Sequence, residues 1–179
     1  MKAVTTLLAA LITLTSSVFA QGIKLEAKRD RFSLKPDKQV GAVVVDHQQK
    51  LEWMSCFVGQ ELRQDQCTGT PQRMNWFDAE AVSKQAGNGW RLPGREELMS
   101  IMARQSWHER LTHLSPHFHG QSSKVFVYWT ASRVTNMTNM HWVVSGKEDL
   151  ENLTGNRGRF DLIGKDEEEY EVRLVRNAK

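Results

Sequence analysis

Apolar residues are spread along the chain in short runs, and glycine-bearing polar stretches separate them. Residues 40–45 form a β-branched run around Val43, Val44 and Val45, which predicts a buried strand. Leu51, Trp53 and Met54 predict a second strand after a polar turn. From residue 76 the period changes. Trp76, Ala79, Val82 and Ala86 recur at helical spacing, Asn75 stands where a helix cap is needed with Asp78 three residues on, and Gly87 and Gly89 stop the helix. A short strand is expected at 90–92. Pro93 and Gly94 then open a second helix, with Glu96 and Glu97 in the first turn, where the helix dipole favours acids, and with Leu98, Ile101 and Met102 as its apolar stripe. Residues 106–124 predict a long loop. Residues 125–130 and 141–144 predict two more strands. A last one is expected over 171–175, where Val172 and Leu174 alternate with Arg173 and Arg176. Strands flank two helices without βαβ alternation, so the expected class is α+β: two helices packed on short, mainly antiparallel strands.

The first twenty residues follow a different rule. Lys2 precedes an apolar core at 7–14, and Val18 and Ala20 fit the signal-peptidase positions. This predicts a secretory signal peptide over 1–20, cleaved before Gln21. Its apolar core is too short to span a bilayer, which takes about 20 residues. No cysteine follows Ala20 to accept a lipid. Residues 21–39 are polar and read as an arm or linker, leaving 40–179 as one domain. No membrane span is expected after cleavage.

The net charge of the 179-residue chain is +3, and loss of Lys2 lowers it to +2. So small a balance does not predict nucleic-acid binding. The distribution is uneven. Lys24, Lys28, Arg29, Arg31, Lys35 and Lys38 crowd the arm, and Asp166, Glu167, Glu168, Glu169 and Glu171 crowd the C-terminal region. Cys56 and Cys67 are the only cysteines, and export would place them in an oxidising compartment, where a close pair bridges. A zinc site is the competing reading, but only His47 lies near in sequence.

Several short motifs occur in a specific order: Leu51-Glu-Trp-Met-Ser-Cys56, Cys67-Thr-Gly69, Trp76-Phe-Asp-Ala79, Gly89-Trp-Arg-Leu-Pro93 with Glu97, Tyr128-Trp-Thr-Ala-Ser132, His141-Trp-Val-Val144 and Val172-Arg-Leu-Val-Arg176. Over about residues 40–176 this resembles the bacterial domain family typified by the C-terminal domain of the Legionella collagen-like protein. The Arg91-Leu-Pro93…Glu97 element is also similar to one in formylglycine-generating enzymes. The resemblance implies a C-type-lectin-like fold. It also implies that Trp53, Trp76, Trp90, Trp129 and Trp142 pack the framework and that Arg91 pairs with Glu97 or caps nearby carbonyls.

Enzymatic chemistry finds little support. The late cysteine pair of the formylglycine-generating enzymes is absent, and there is no Gly-x-Ser-x-Gly nucleophile element. The calcium-dependent lectin triplets Glu-Pro-Asn and Gln-Pro-Asp are also absent, and Glu148, Asp149 and Glu151 read as a solvated loop. His108, His113, His117 and His119 could gather a metal, yet loop histidines are commonly just exposed, so no cofactor and no metal are expected. The stretch 133–160 carries the binding expectation, with Arg133, Asn136, Asn139, Lys147, Asn152, Asn156, Arg157 and Arg159 as candidate ligand-binding residues. Arginine forks and amides suit carboxylated or sulfated glycans, or a protein surface. The expected function is therefore an exported, non-catalytic, adhesion-type module whose partner is a glycan or an envelope or surface protein. A structural accessory subunit of an envelope or pilus assembly is the alternative, and a metal-dependent enzyme using the histidine loop is a third reading.

Overall fold

The computed structural model describes residues 30–104, 111–114, 118, 126–146 and 161–179. The protein is mostly β, with two short helices and one disulfide. Strands β1 (Phe32–Asp37), β2 (Gly41–Asp46) and β3 (Leu51–Met54) form an antiparallel meander, and β13 (Val175–Asn177) closes it in the order β1-β2-β3-β13. A second sheet has the order β11-β10-β9-β12-β6, from β6 (Arg73–Met74), β9 (Phe126–Arg133), β10 (Met140–Gly146), β11 (Asp161–Lys165) and β12 (Tyr170–Glu171). Two hairpins stand apart: β4 (Glu61–Arg63) with β5 (Gln66–Thr68), and β7 (Met102–Arg104) with β8 (Leu111–Leu114).

The arm reading fails for residues 32–37. They pair with β2 along their whole length, from Phe32 opposite Asp46 to Asp37 opposite Gly41. The strand lies at a sheet edge and shows solvent four consecutive residues, Ser33 to Pro36, so the alternation of Phe32, Leu34 and Pro36 with polar residues does not mark a buried face. Lys35 on the strand and Arg31 just before it are partnered. Arg31 binds Asp46, and Lys35 binds Glu52 at 2.7 Å.

The valine runs have a clear cause. Val43 belongs to one apolar cluster and its neighbour Val44 to another. Tyr128 and Trp129 on β9, and Val143 and Val144 on β10, divide in the same way. Successive side chains of a strand point to opposite faces, so these strands are covered on both faces and read as continuous apolar runs. Trp53, Trp76, Trp90 and Trp129 are buried in these clusters, as expected. Trp142 is half-buried, with the Arg95 guanidinium 4.6 Å from its ring centre.

Helix α1 (Trp76–Ala86) starts where the sequence places it. The Asn75 side-chain oxygen accepts from Asp78 N–H at 2.9 Å, and the helix ends at Gly87, whose φ is 61°. Helix α2 (Arg95–Ser100) is a six-residue stub, with Ile101 as its C-cap and Met102 already in β7. At 90–92 only one bridge forms, between Arg91 and Val175. Cys56 and Cys67 are bonded with Cα atoms 5.5 Å apart, tying the β4–β5 hairpin to the end of β3.

The C-terminal strand is the second difference. Residues 171–176 are all buried, the two arginines included. The segment crosses between the sheets, with Glu171 beside Tyr128 in one and Val175 opposite Trp53 in the other. Arg173 donates to the carbonyls of Met54 and Ser55 and lies 4.0 Å above the Phe57 ring centre, and burial pushes its guanidinium down to about 10. Arg176 is held by Glu52 at 2.8 Å and Asp37 at 2.6 Å, so it links the first and last strands.

Candidate functional site

An open cleft of about 730 Å³ lies beside α1, between that helix, the 90–97 segment and the ends of β9 and β10. Each wall is fixed by local chemistry. The Arg91 guanidinium makes two parallel 2.7 Å bonds to the Glu97 carboxylate and also reaches the Leu92 carbonyl at 3.2 Å. Both roles expected for Arg91 are thus filled. Glu97 in turn accepts from Gly94 N–H at 2.7 Å, which stabilises the start of α2. Burial alone would raise the Glu97 carboxyl, but the bonds from Arg91 and Gly94 and the Arg91 charge outweigh it and hold the carboxyl below its usual range. On α1, Glu80 and Lys84 pair at 2.9 Å, one turn apart.

The floor contains a polar pair that motif reading did not select. His141 on β10 and Asp166, just past β11, are 1% and 2% exposed, and Nδ1 of the imidazole lies 2.7 Å from Oδ1 of the carboxylate. The ring stacks flat on Trp76, with centres 3.8 Å apart and planes 8° from parallel. Asp166 is held by its backbone too, since its N–H donates to the Asn139 carbonyl and its C=O accepts from Trp76 N–H, both at 3.0 Å. The opposite ring nitrogen, His141 Nε2, is covered and has no hydrogen-bond partner among the described residues. Leaving a buried polar atom unpaired typically costs about 1–3 kcal/mol, and Nε2 shares this state with Trp53 Nε1 and Ser145 Oγ, neither of which lines the cleft.

The candidate binding residues separate. Arg133 ends β9, lies directly opposite His141 in the strand register and lines the cleft. It is exposed and has no ion-pair partner among the described residues. Asn136 and Asn139 lie in the tight turn between β9 and β10, with φ of 63° and 58°. Asparagine tolerates this left-handed region better than other non-glycine residues, so the turn itself accounts for both. The two strands then run about 20 Å, at roughly 3.3 Å per residue, to the far end of the sheet. There Gly146 pairs with Phe126, and Val144 with Asp161. β10 thus follows Arg133, Asn136 and Asn139, and its last residue, Gly146, lies at the end of the sheet away from Arg133. Lys147, Asn152, Asn156, Arg157 and Arg159 fall outside the described residues. So do His108, His117, His119, Glu148, Asp149 and Glu151, and of His113 on β8 only the backbone is described. Among the described residues no group of three histidine, cysteine or acidic side chains is placed to hold a metal.

His141 and Asp166 were missed for two reasons. His141 sits inside a strand motif that reads as packing, and Asp166 heads an acidic run that reads as solvated. A histidine on the covered face of a strand was the available signal, but its partner is 25 positions away.

No curated protein matches the chain. The family described as "Lcl C-terminal domain" matches over residues 42–176, which takes in the second sheet, the disulfide and the cleft but not β1, and the chain belongs to that family.

Proposed function

We propose that this is an exported bacterial binding module that recognises a glycan or an envelope or surface protein through the cleft beside α1, and that it catalyses no reaction. Family membership suggests a surface-associated or secreted bacterial protein. The signal-peptide pattern over 1–20 supports export, and no helix among the described residues is long and apolar enough to cross a membrane. The observation that carries the reading is Arg133: an exposed cation with no ion-pair partner among the described residues, standing over a cleft whose other charges are already paired. An unpaired guanidinium held at the end of a strand is a ready donor to an anionic partner. The C-type-lectin-like description of the fold belongs to the same proposal. Two short helices, a disulfide-bonded hairpin and a sheet joining the first and last strands are consistent with it.

The test is capture of partners from native bacterial envelope, together with a glycan array, using wild type and Arg133→Ala at matched melting temperature. A saturable partner lost by roughly tenfold or more in Arg133→Ala supports the reading, since a charge-assisted hydrogen bond is worth about that much. Stable incorporation into an envelope or pilus assembly, indifferent to Arg133, would instead identify a structural accessory subunit.

A further inference from the structure

We infer that His141 Nε2 and Arg133 form one ligand subsite, selective for a carboxylate that carries a hydrogen-bond donor on the adjacent carbon. The inference rests on the cleft being the binding site. It concerns what the cleft selects.

Asp166 fixes the histidine's chemistry. An ionised carboxylate can only accept hydrogen bonds, so a neutral imidazole facing it at 2.7 Å keeps its single proton on Nδ1. Nε2 is then a bare acceptor. The ring has little freedom to exchange its nitrogens, because it is stacked on Trp76 and its partner Asp166 is anchored by two backbone bonds. His141 lines the cleft, and its acceptor has no partner among the described residues. The missing partner is therefore a donor that arrives through the cleft.

Arg133 supplies the second half. It is opposite His141 in the register, at the edge of an irregularity between His141 and Val143, and both residues line the cleft. Glu80 with Lys84, and Arg91 with Glu97, neutralise one another along the other walls. Arg133 therefore sets the sign of the ligand, a monoanion. Nε2 is covered, so a ligand reaches it only once a neighbouring group moves aside. A plain carboxylate or a sulfate would satisfy the arginine and leave Nε2 unpartnered. A 2-hydroxy acid or an N-acylated amino acid satisfies both with one group.

The experiment is an NMR titration of the exported chain with lactate, N-acetylglycine and propionate in mildly alkaline buffer, where free imidazole is neutral. Lactate tests the hydroxyl source of the donor, N-acetylglycine the amide source, and propionate carries no donor. At least one donor-bearing acid should bind roughly tenfold more tightly than propionate, shifting the His141 and Arg133 signals together. The ¹⁵N signal of Nε2 should be that of an unprotonated nitrogen. Asp166→Asn, which no longer imposes the tautomer, should erase the preference while leaving carboxylate binding through Arg133. His141→Phe keeps a ring on Trp76 and should do the same. Equal binding of all three acids, a protonated Nε2 in the free protein, or no binding by any of them would overturn the inference. If the envelope partner still binds in an Arg133-dependent way, the failure is confined to this subsite. If that is lost as well, the cleft is not the binding site.

Discussion

Two buried charged clusters in this protein differ in one respect. In the first sheet, Arg176 lies between Glu52 and Asp37, Lys35 covers the remaining oxygen of Glu52, and Asp37 also accepts from the N–H groups of Gln39 and Val40. On the cleft floor, His141 is bonded to Asp166 through one nitrogen and to nothing described through the other. The first cluster is closed and joins the two ends of the described chain. The second is closed through Nδ1 and leaves the covered Nε2 without a partner among the described residues. The discriminating feature is completeness: the first network is fully satisfied, whereas the second leaves one buried nitrogen unpaired.

The largest effect should come from breaking the closed network. Arg176→Met would strand Glu52, which is 1% exposed, and should lower stability by about 3–5 kcal/mol in chemical unfolding. A loss under about 1 kcal/mol would mean that Lys35 alone sustains that carboxylate. Next in size is the disulfide. Replacing Cys56 and Cys67 together with serine should cost about 3 kcal/mol, read as a lower midpoint with little change in fold.

Acid should have a smaller, graded effect. The carboxyls of Asp37, Glu52 and Glu97 are all held below their ordinary values, burial being outweighed by bonds from Arg176, Lys35 and Arg91. A depressed carboxyl contributes stability that is present above its unfolded value and is lost as pH falls through the folded one. Melting temperature should therefore hold steady down to about pH 4–5 and then fall. A flat profile to still lower pH would show that these pairs do not contribute net stability.

The turn and the cleft should respond least. Asn139→Ala removes the short polar side chain that lets asparagine tolerate φ 58° and should cost about 1 kcal/mol, whereas Asn139→Gly should cost almost nothing. An equal loss in both would return Asn139 to a side-chain role. Arg133→Ala should shift stability by less than about 0.5 kcal/mol, because the side chain is exposed and makes no ion pair among the described residues. A larger loss would place Arg133 with the framework and remove the contrast on which the site is argued.

Much of the frame was legible in the residues themselves. Short-range physics writes a local signature. Asn75 with Asp78 and Gly87 mark the ends of α1, the valine run marks β2, and Arg91 with Glu97 are close enough in sequence to be paired by inspection. Cys56 and Cys67 likewise had no other partner to choose. The order and spacing of the tryptophan motifs identified the family that the profile match then showed.

What the sequence could not decide depends on which side of a sheet the rest of the chain covers. Residues 32–37 look like a polar arm because their partner on one side is β2 and on the other is solvent. Arg173 and Arg176 alternate as if exposed, and are buried because the last segment threads between two sheets whose positions no local pattern records. Arg133 was singled out for its charge, but its significance comes from the register that sets it opposite His141. His141 gained its role from Asp166, which reaches it only after β10 and β11 have paired. Local sequence fixes turns, caps and amphipathic stretches because those involve neighbours along the chain. The cleft is made of residues from 76 to 141, with Asp166 behind His141, and long-range pairing alone brings them together.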